Sequence, residues 1–262
     1  MKKWVVKKPD KQISKKLEAE CSVTPLCADV LAARGISSPA EAAEQFNADS
    51  LSDPFLLKDM REAAQLINTA VENFTCICVF GDYDCDGIAS TAMLFSYLEC
   101  MGANVFYMIP ERNDGYGLNE SAVRKMHEQG AELIITVDNG ISAHNEAELI
   151  HELGMKLIIT DHHQPGETLP KAEAIVNPHR KDCASPFKYL CGAGVVLKLI
   201  AAAEGGGYDT ALNEYGELAA LATIADVVSL TGENRLIVKY GLKLLENSER
   251  TGINLSLIHI SE

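Results

Sequence analysis

The sequence predicts an α/β protein in which helices flank a parallel β-sheet and a helical segment precedes it. From Cys76 onward, short apolar runs rich in β-branched residues alternate with helix-like segments, which is the pattern of βαβ units. These runs are apolar along their whole length, as expected for strands that are buried on both faces of a sheet. A final stretch, from about 192 to 246, has helical spacing only.

The elements divide the chain into three predicted regions. Residues 1–57 form a helical segment with Ser and Pro helix starts and no chemical cluster. Residues 58–250 form the main domain, which opens with an amphipathic helix in LLKDMREAAQLINTAVEN. Its predicted strands are CICVF, NVFYMI, ELIITV, KLIIT and AEAIVN, with helices predicted at 89–101, 119–129 and 143–153. Residues 251–262, which include LSLIHISE, are predicted to be a non-native or disordered tail.

Composition narrows the possible classes of protein. The chain has 262 residues and is 47% hydrophobic, which is enough for a substantial core. Its net charge of -14 argues against a broad basic face of the kind that holds duplex DNA, although bound divalent cations would reverse the local field that a phosphate meets. Eight cysteines without a CxxC pair and the lack of an apolar leader predict a cytoplasmic protein. No apolar run approaches the roughly 20 residues of a membrane span.

Acidic and imidazole side chains follow three of the predicted strands, at the point where each strand ends. They are Asp82, Asp84 and Asp86 after CICVF, Asp138 after ELIITV, and Asp161, His162 and His163 after KLIIT. Ligands of open α/β sheets bind at the carboxyl ends of strands, so these groups can meet in one crevice. Taken singly, each has a plainer interpretation: Asp138 as a helix N-cap, Asp86 as a turn residue and the histidines as surface or core residues.

Such a gathering of carboxylates favours a metal site, because the carboxylates repel each other unless a cation neutralises them. Oxygen ligands with one or two imidazoles suit Mn²⁺ or Mg²⁺ better than a structural zinc, which prefers thiolates. Asp226 in ATIADVVSL is a further candidate, since an acid within an apolar run is costly to bury without a metal or a hydrogen-bond partner. The cysteines are poor ligand candidates: Cys76 and Cys78 alternate on a predicted strand and are expected to be core residues, and Cys85 is a small spacer in the acidic loop.

Two glycines and three basic residues are candidates for phosphate binding. Gly192 and Gly194 lie at a predicted helix start, where backbone amides attract anions, although glycines there also allow close packing. Arg112 lies in the loop PERNDGYGLN, and His179 and Arg180 lie in NPHR. Each arginine either holds a phosphate or is a solvated loop charge.

The combination of motifs resembles a known family. GDYDCDG, VDNGIS, TDHH and ATIADVV, in this order, resemble the four motifs of the DHH phosphoesterase superfamily. PERNDGYGLN, NPHR and CGAGV resemble its RecJ branch, the single-strand-specific 5′→3′ DNA exonucleases. The resemblance covers roughly Lys58 to Asn247, and four ordered motifs are far more specific than any one of them.

The resemblance implies a DHH phosphoesterase fold and a site with two ions, Mn²⁺ or Mg²⁺. One ion would be bound by Asp86, Asp138, His162 and Asp226, and the other by Asp84 and Asp138 with help from Asp82. Asp138 would bridge the two ions, and His163 would face the substrate phosphate. Phe80 stands where many members have a histidine ligand, so Asp82 or water must fill that coordination position.

The implied function is metal-dependent hydrolysis of single-stranded DNA from the 5′ end, in DNA repair and recombination. Asp138 and His163 would serve catalysis, Arg112, His179, Arg180, Gly192 and Gly194 would hold the terminal phosphate, and Tyr116 could stack a base. Two alternatives stay open: a phosphodiesterase for short oligonucleotides or cyclic dinucleotides, and a catalytically weak fragment that only binds metal. Relatives continue into a second, smaller domain.

Overall fold

The computed structural model describes residues 7–46, 50–111 and 117–255, in two compact units that divide after Ser50. The first unit contains helices α1 (Lys11–Cys21), α2 (Pro25–Ala33) and α3 (Pro39–Phe46). Asp10 and Thr24 begin the first two helices, because each side chain accepts hydrogen bonds from amides of the first turn. A small core of four side chains holds the three helices together: Leu17, Ala28, Leu31 and Ala42.

The second unit contains the sheet and confirms the predicted α/β fold. Its elements, in order, are α4 (Met60–Glu72), β1 (Ile77–Phe80), α5 (Cys85–Cys100), β2 (Val105–Met108), α6 (Glu120–Glu128), β3 (Leu133–Val137), α7 (His144–Glu152), β4 (Lys156–Thr160), β5 (Ala174–Val176), α8 (Gly192–Ala203), α9 (Asp209–Ala225) and α10 (Gly232–Leu245). The five strands are all parallel, in the order β2-β1-β3-β4-β5.

Both faces of the sheet are buried, which explains the continuous apolar strands. In β1, Ile77 and Val79 belong to a core that α4, α5, α8 and α9 cover. Cys78 and Phe80 point the other way, into a core that α6 and α7 cover. Chain order reverses between β1 and β3, so a crevice opens beyond their carboxyl ends, where ligands of such sheets bind.

The stretch 51–57 belongs to the second unit, although the sequence analysis placed it in the N-terminal helical segment. Lys198 Nζ on α8 donates to the Ser52 carbonyl at 3.0 Å and to its hydroxyl at 3.1 Å. Pro54–Leu56 then forms a single 3-10 turn that packs on α8. These contacts place the boundary of the second unit after Ser50 instead of after residue 57.

Two further element boundaries differ from the predictions. Helix α5 begins at Cys85 instead of Ala89, because the Asp84 carboxylate accepts a hydrogen bond from the Gly87 amide at 2.8 Å and caps the helix. Of the predicted tail, residues 251–255 are helical rather than disordered, since Ile253 is buried against the main core. Residues 256–262 lie outside the described residues.

Within the described ranges, no helix combines the length and the apolar character that crossing a membrane requires.

Candidate metal centre

His162 lies at the centre of a cluster of carboxylates that three separate elements supply. Its Nε2 atom is 3.1 Å from Asp138 Oδ1, 3.7 Å from Asp86 Oδ2 and 3.8 Å from Asp226 Oδ2. Asp138 follows β3, Asp86 lies in the first turn of α5 and Asp226 ends α9. The structure therefore brings together the four residues that the family resemblance assigned to one ion.

Asp138 is held in a rare backbone conformation. Its φ of 62° lies in the left-handed region, where few residues other than glycine are found. The Asp138 amide still donates to the Thr160 carbonyl at 3.0 Å, so the strand pairing continues up to the turn. Such backbone geometry costs about 1–3 kcal/mol and persists only where the surroundings enforce it. The surroundings of this turn therefore hold Asp138 in place.

The N-terminus of α8 binds a carboxylate of the chain itself. The amides of Gly192 and Ala193 donate to Asp86 Oδ2 and Oδ1 at 2.6 and 2.8 Å. A Cβ atom on Gly192 would lie 2.6 Å from the Cβ of Asp138, so only glycine fits there. Gly194 is buried and faces Leu190. The predicted phosphate role of these glycines is thus replaced by close packing and by support of Asp86.

The electrostatics of the cluster favour a bound cation. Burial, followed by the charges of Asp86, Asp84 and Asp161, raises the pKa of Asp138 to about 10. Burial also raises the pKa of Asp86, against the stabilising effect of the amides at the α8 terminus. Burial is also the main reason why the pKa of Asp226 is raised. A divalent cation would relieve these carboxylates of both desolvation and mutual repulsion.

Asp161 organises the two histidines, a role that the sequence analysis did not give it. Its Oδ1 atom accepts hydrogen bonds from the amides of His162 and His163, at 2.7 and 3.0 Å, and faces His163 Nδ1 at 2.7 Å. Its Oδ2 atom accepts from the Ile141 amide at 2.9 Å. The hydrogen bond to Asp161 raises the pKa of His163. The signal was an acid directly before two histidines at a strand end.

The donor atoms fit a hard divalent cation. Asp138, His162 and His163 can each offer one atom to an ion, and so can Asp86, His162 and Asp226, with the atoms of each set within 4.8 Å of one another. Carboxylate oxygens with imidazole nitrogens are a donor set that suits Mn²⁺, and Mg²⁺ prefers the oxygens. The two sets share His162 and lie side by side.

Asp82 and Asp84, predicted for the second ion, stand beside these sets. Asp84 Oδ1 is occupied as the cap of α5. Asp82 is fully buried, and its Oδ2 atom has no hydrogen-bond partner among the described residues. Phe80 is fully buried in β1 and provides no ligand. A buried carboxylate oxygen without a donor is costly, and a cation would satisfy it.

The other candidates for phosphate binding are placed differently. His179 lies at the rim, where its Nδ1 is 3.0 Å from Gln164 Nε2, and burial lowers its pKa. Arg180 is buried in an ion-pair network: its guanidinium binds Asp182 through two nitrogens and Asp59 through a third. Its donors are therefore committed to the fold, which corrects its assignment to phosphate. Arg112 and Tyr116 lie outside the described residues.

Comparison with known proteins identifies the family. Residues 76–223, more than half of the chain, match the DHH family, N-terminal domain. The chain belongs to the DHH family. This confirms the resemblance that the four motifs indicated.

Within the DHH family the chain is similar to RecJ proteins. It is 44% identical over 264 aligned residues to the single-stranded-DNA-specific exonuclease RecJ of Bacillus subtilis, which covers 99% of this chain and 33% of that protein. A crystal structure of RecJ from Thermus thermophilus in complex with Mn²⁺ has a TM-score of 0.76 and 34% identity, over 95% of this chain and 36% of that one. Another, of exonuclease RecJ bound to manganese, has a TM-score of 0.69 and 40% identity, over 76% and 51%. The chain thus spans a third to a half of these relatives.

Proposed function

We propose that this chain carries the catalytic core of a single-strand-specific DNA exonuclease that uses Mn²⁺ or Mg²⁺ and degrades its substrate from the 5′ end. The observation that carries the proposal is the position of His162 Nε2, within 3.8 Å of carboxylates from three elements. The relatives support the substrate, because RecJ proteins are named for single-stranded DNA and two of the solved structures contain manganese. By the same similarity, we propose a role in DNA repair and recombination in the cytoplasm.

The four residues around His162 would hold one ion, and Asp84 and Asp138, with Asp82, would hold the other. When bound, the ions would supply Lewis-acid chemistry: they would make a water molecule more acidic and stabilise negative charge on oxygens around the phosphorus. Asp138 would contact both ions. The amides of α8 keep the Asp86 carboxylate oriented toward the site.

His163 would bind the substrate phosphate and would not serve only as a metal ligand. Asp161 fixes its Nδ1 and raises its pKa, so the ring carries positive charge over a wider pH range than a free imidazole. With Nδ1 engaged, Nε2 would donate to a nonbridging phosphate oxygen and stabilise charge that develops there. Asp161 is then a positioning residue. His179 and Gln164 at the rim would bind a second phosphate oxygen.

The test compares Asp138→Asn with Asp209→Asn, an exposed aspartate at the start of α9. Asparagine matches the size of Asp138, and a carboxyl with a pKa of about 10 is neutral at pH 7 without metal, so this variant should fold normally. We expect calorimetry to show Mn²⁺ affinity reduced about 100-fold or more, since even indirect metal partners contribute about 10- to 100-fold. Asp209→Asn should bind Mn²⁺ like the unmodified chain.

Substrate class is tested with 5′-labelled single-stranded DNA, duplex DNA, a dinucleotide and a cyclic dinucleotide. We expect the single strand to be degraded fastest, with loss of the 5′ nucleotide first. Faster turnover of either dinucleotide would support the phosphodiesterase alternative instead. Mn²⁺ binding without hydrolysis of any substrate would identify the chain as a fragment that only binds metal, and equal Mn²⁺ affinity in both variants would remove Asp138 from the site.

A further inference from the structure

A group of exposed lysines lies at the start of the first unit. Residues 7–16 contain five lysines and a single aspartate, in a chain whose net charge is -14. Two of the lysines precede α1 and three lie on it, and all five are exposed. They are Lys7, Lys8, Lys11, Lys15 and Lys16. Positive charge is therefore concentrated in one short segment of an acidic protein.

The packing of α1 turns its lysines toward solvent. Leu17 is buried in the small core of the first unit, and Ser14 is buried on the same side of the helix. At 3.6 residues per turn, Lys15 and Lys16 then lie on the side of α1 that faces away from this core. Burial of one side of the helix thus leaves the other side free to meet a partner.

In the described part of the chain, one of the five lysines is paired with a carboxylate. Lys11 Nζ lies 2.7 Å from Asp29 Oδ2 on α2. The Asp10 carboxylate serves as the cap of α1 and accepts hydrogen bonds from the amides of Gln12 and Ile13 through its Oδ1 atom. The other four lysines keep their positive charge available, and we name them the lysine surface: Lys7, Lys8, Lys15 and Lys16.

The charges along α1 run against the helix dipole. The first turn contains no acidic residue and begins with Lys11, while the last turn contains no basic residue. Glu18 and Glu20 lie near the C-terminal end instead. The dipole favours acids at the start of a helix and bases at its end, so this arrangement does not stabilise α1. A partner with negative charge accounts for the lysines better than the stability of the fold does.

The phosphates of a single strand suit this surface. A lysine ammonium is a compact point charge on a flexible stem, and it holds phosphates without requiring a fixed geometry. A helix that lies on a membrane needs an apolar face toward the lipid, and among the described residues α1 exposes no large hydrophobic side chain. In the first unit, such side chains are Leu26 and Val30, and both lie on α2. The lysines therefore match a nucleic acid better than a membrane.

We propose that the lysine surface binds single-stranded DNA through its phosphates and does so without a metal ion. The inference rests on the proposed function for the identity of the strand, and it adds a binding surface in the first unit. Contacts to phosphates carry no sequence information, so they hold a strand of any sequence. This property suits an enzyme that removes successive nucleotides.

The test measures the affinity of the whole chain for a labelled oligothymidine of about 20 nucleotides, by fluorescence anisotropy in EDTA at several salt concentrations. For a single strand, the logarithm of the binding constant falls with the logarithm of salt concentration by about 0.7 per phosphate contact. Replacement of all four lysines of the lysine surface by Gln should therefore reduce this slope by about 2.8. Between about 50 and 200 mM salt, the unmodified chain should lose about 50-fold more affinity than this variant.

Four smaller variants show whether the position of the charge matters. Lys15→Gln with Lys16→Gln should reduce the slope by about 1.4, whereas Lys15→Arg with Lys16→Arg keeps the charge and should keep the slope. Lys239→Gln with Lys243→Gln removes two exposed charges from α10 and should leave the slope unchanged. Lys11→Gln should change it least among the lysines of α1, because Asp29 already balances that charge. Lys and Gln have similar helix propensities, so all variants should fold.

The outcomes separate this surface from the metal centre. An unchanged salt slope in the variant without the four lysines, or an equal loss in the α10 control, would overturn the lysine surface and leave the exonuclease proposal intact. Binding to phosphatidylserine vesicles that needs the lysines, with DNA binding that does not, would overturn it in favour of a membrane. Binding of DNA that depends on the lysines, without hydrolysis of the strand in Mn²⁺, would overturn the proposed function and support the lysine surface. Mn²⁺ affinity should be the same in every variant.

Discussion

Two regions of the second unit that bury charged side chains are balanced in opposite ways. In the helical layer, Lys198 Nζ lies 2.6 Å from Glu233 Oε2 and also donates to the Tyr208 hydroxyl at 3.1 Å. At the metal centre, one imidazole faces three carboxylates within 3.8 Å. The first group neutralises itself and serves the fold, whereas the second lacks positive charge and needs a cation from solution. Buried charge alone therefore does not identify a functional site; its imbalance does.

The largest expected effect comes from breaking the balanced region. Lys198→Met removes the cation and leaves Glu233 buried without compensation, which should lower the free energy of unfolding by about 3–5 kcal/mol. Mn²⁺ affinity should stay unchanged, because the pair lies outside the metal centre. Urea unfolding and calorimetric titration at pH 7 provide the two measurements.

A double variant separates the cost of an unpaired charge from the loss of packing. Lys198→Met combined with Glu233→Leu should recover most of the stability, because no charge then stays buried. If the single variant costs less than about 1 kcal/mol, the pair behaves like a surface ion pair and the contrast between the two regions disappears. A loss of Mn²⁺ affinity in a folded single variant would contradict their independence.

The unbalanced charge at the metal centre should make the stability of the metal-free protein depend on pH. The pKa of Asp138 is raised to about 10 in the folded protein, so between pH 4 and 10 the folded state binds one proton more than the unfolded state. Stability without metal must then fall as pH rises, with a slope of up to about 1.4 kcal/mol per pH unit from this group. Asp138→Asn should remove that slope. Urea unfolding in EDTA from pH 6 to 8 measures the difference between the two proteins.

The change with pH in the stability difference between Asp138→Asn and the unmodified chain shows whether Asp138 is neutral in the folded protein. Asp138→Asn should become more stable relative to the unmodified chain as pH rises, by up to about 2.7 kcal/mol over two units. A constant difference would mean that Asp138 is ionised in both states and already has its compensating charge within the chain. Asp209→Asn is the control for this comparison, because this aspartate is exposed.

A smaller effect is expected from the glycine at the start of α8. Gly192→Ala adds a Cβ atom 2.6 Å from the Cβ of Asp138, and overpacking of this kind typically costs about 1–3 kcal/mol. We expect Mn²⁺ affinity to fall about tenfold, which corresponds to about 1.4 kcal/mol. Gly194→Ala is the matched control, because its Cβ would meet the flexible Leu190 side chain at 3.1 Å. Equal effects of the two substitutions would mean that the helix start, rather than Asp138, responds.

The sheet and the convergence at its carboxyl edge were predictable from sequence for simple reasons. Apolar runs fix the strands, parallel order fixes which ends meet, and His162, Asp138 and Asp86 follow three such ends. Asp226 was predictable because an acid within an apolar run is costly to bury alone. These inferences need only local patterns and one rule of sheet topology.

The remaining features depend on tertiary contacts that local patterns do not contain. The Gly192 amide binds Asp86 because α8 packs against α5, although the two residues are far apart in sequence. The hydrogen bonds from the two histidine amides to Asp161 are local, but the one from the Ile141 amide forms only where the loop after β3 reaches the end of β4. The Gly192 amide was expected to bind a phosphate and instead binds Asp86, and Asp161 supports both histidines.

Arg180 gives the smallest effect and tests this distinction between support and ligand binding. It binds Asp182 through Nε and Nη2, at 2.9 and 2.7 Å, but more than half of the Asp182 side chain is exposed.

The hydrogen bond to Arg180 lowers the pKa of Asp182, so the stabilisation exists at neutral pH and is lost as pH falls through the lowered pKa. Asp182→Asn should therefore cost less than about 1 kcal/mol at pH 7, because solvent screens the pair, and nothing in strong acid. Urea unfolding at pH 7 and in strong acid measures this, and Asp59→Asn should cost more, since Asp59 also accepts from the Ile175 amide. A raised KM for single-stranded DNA in Asp182→Asn, with stability unchanged, would return Arg180 to the substrate site.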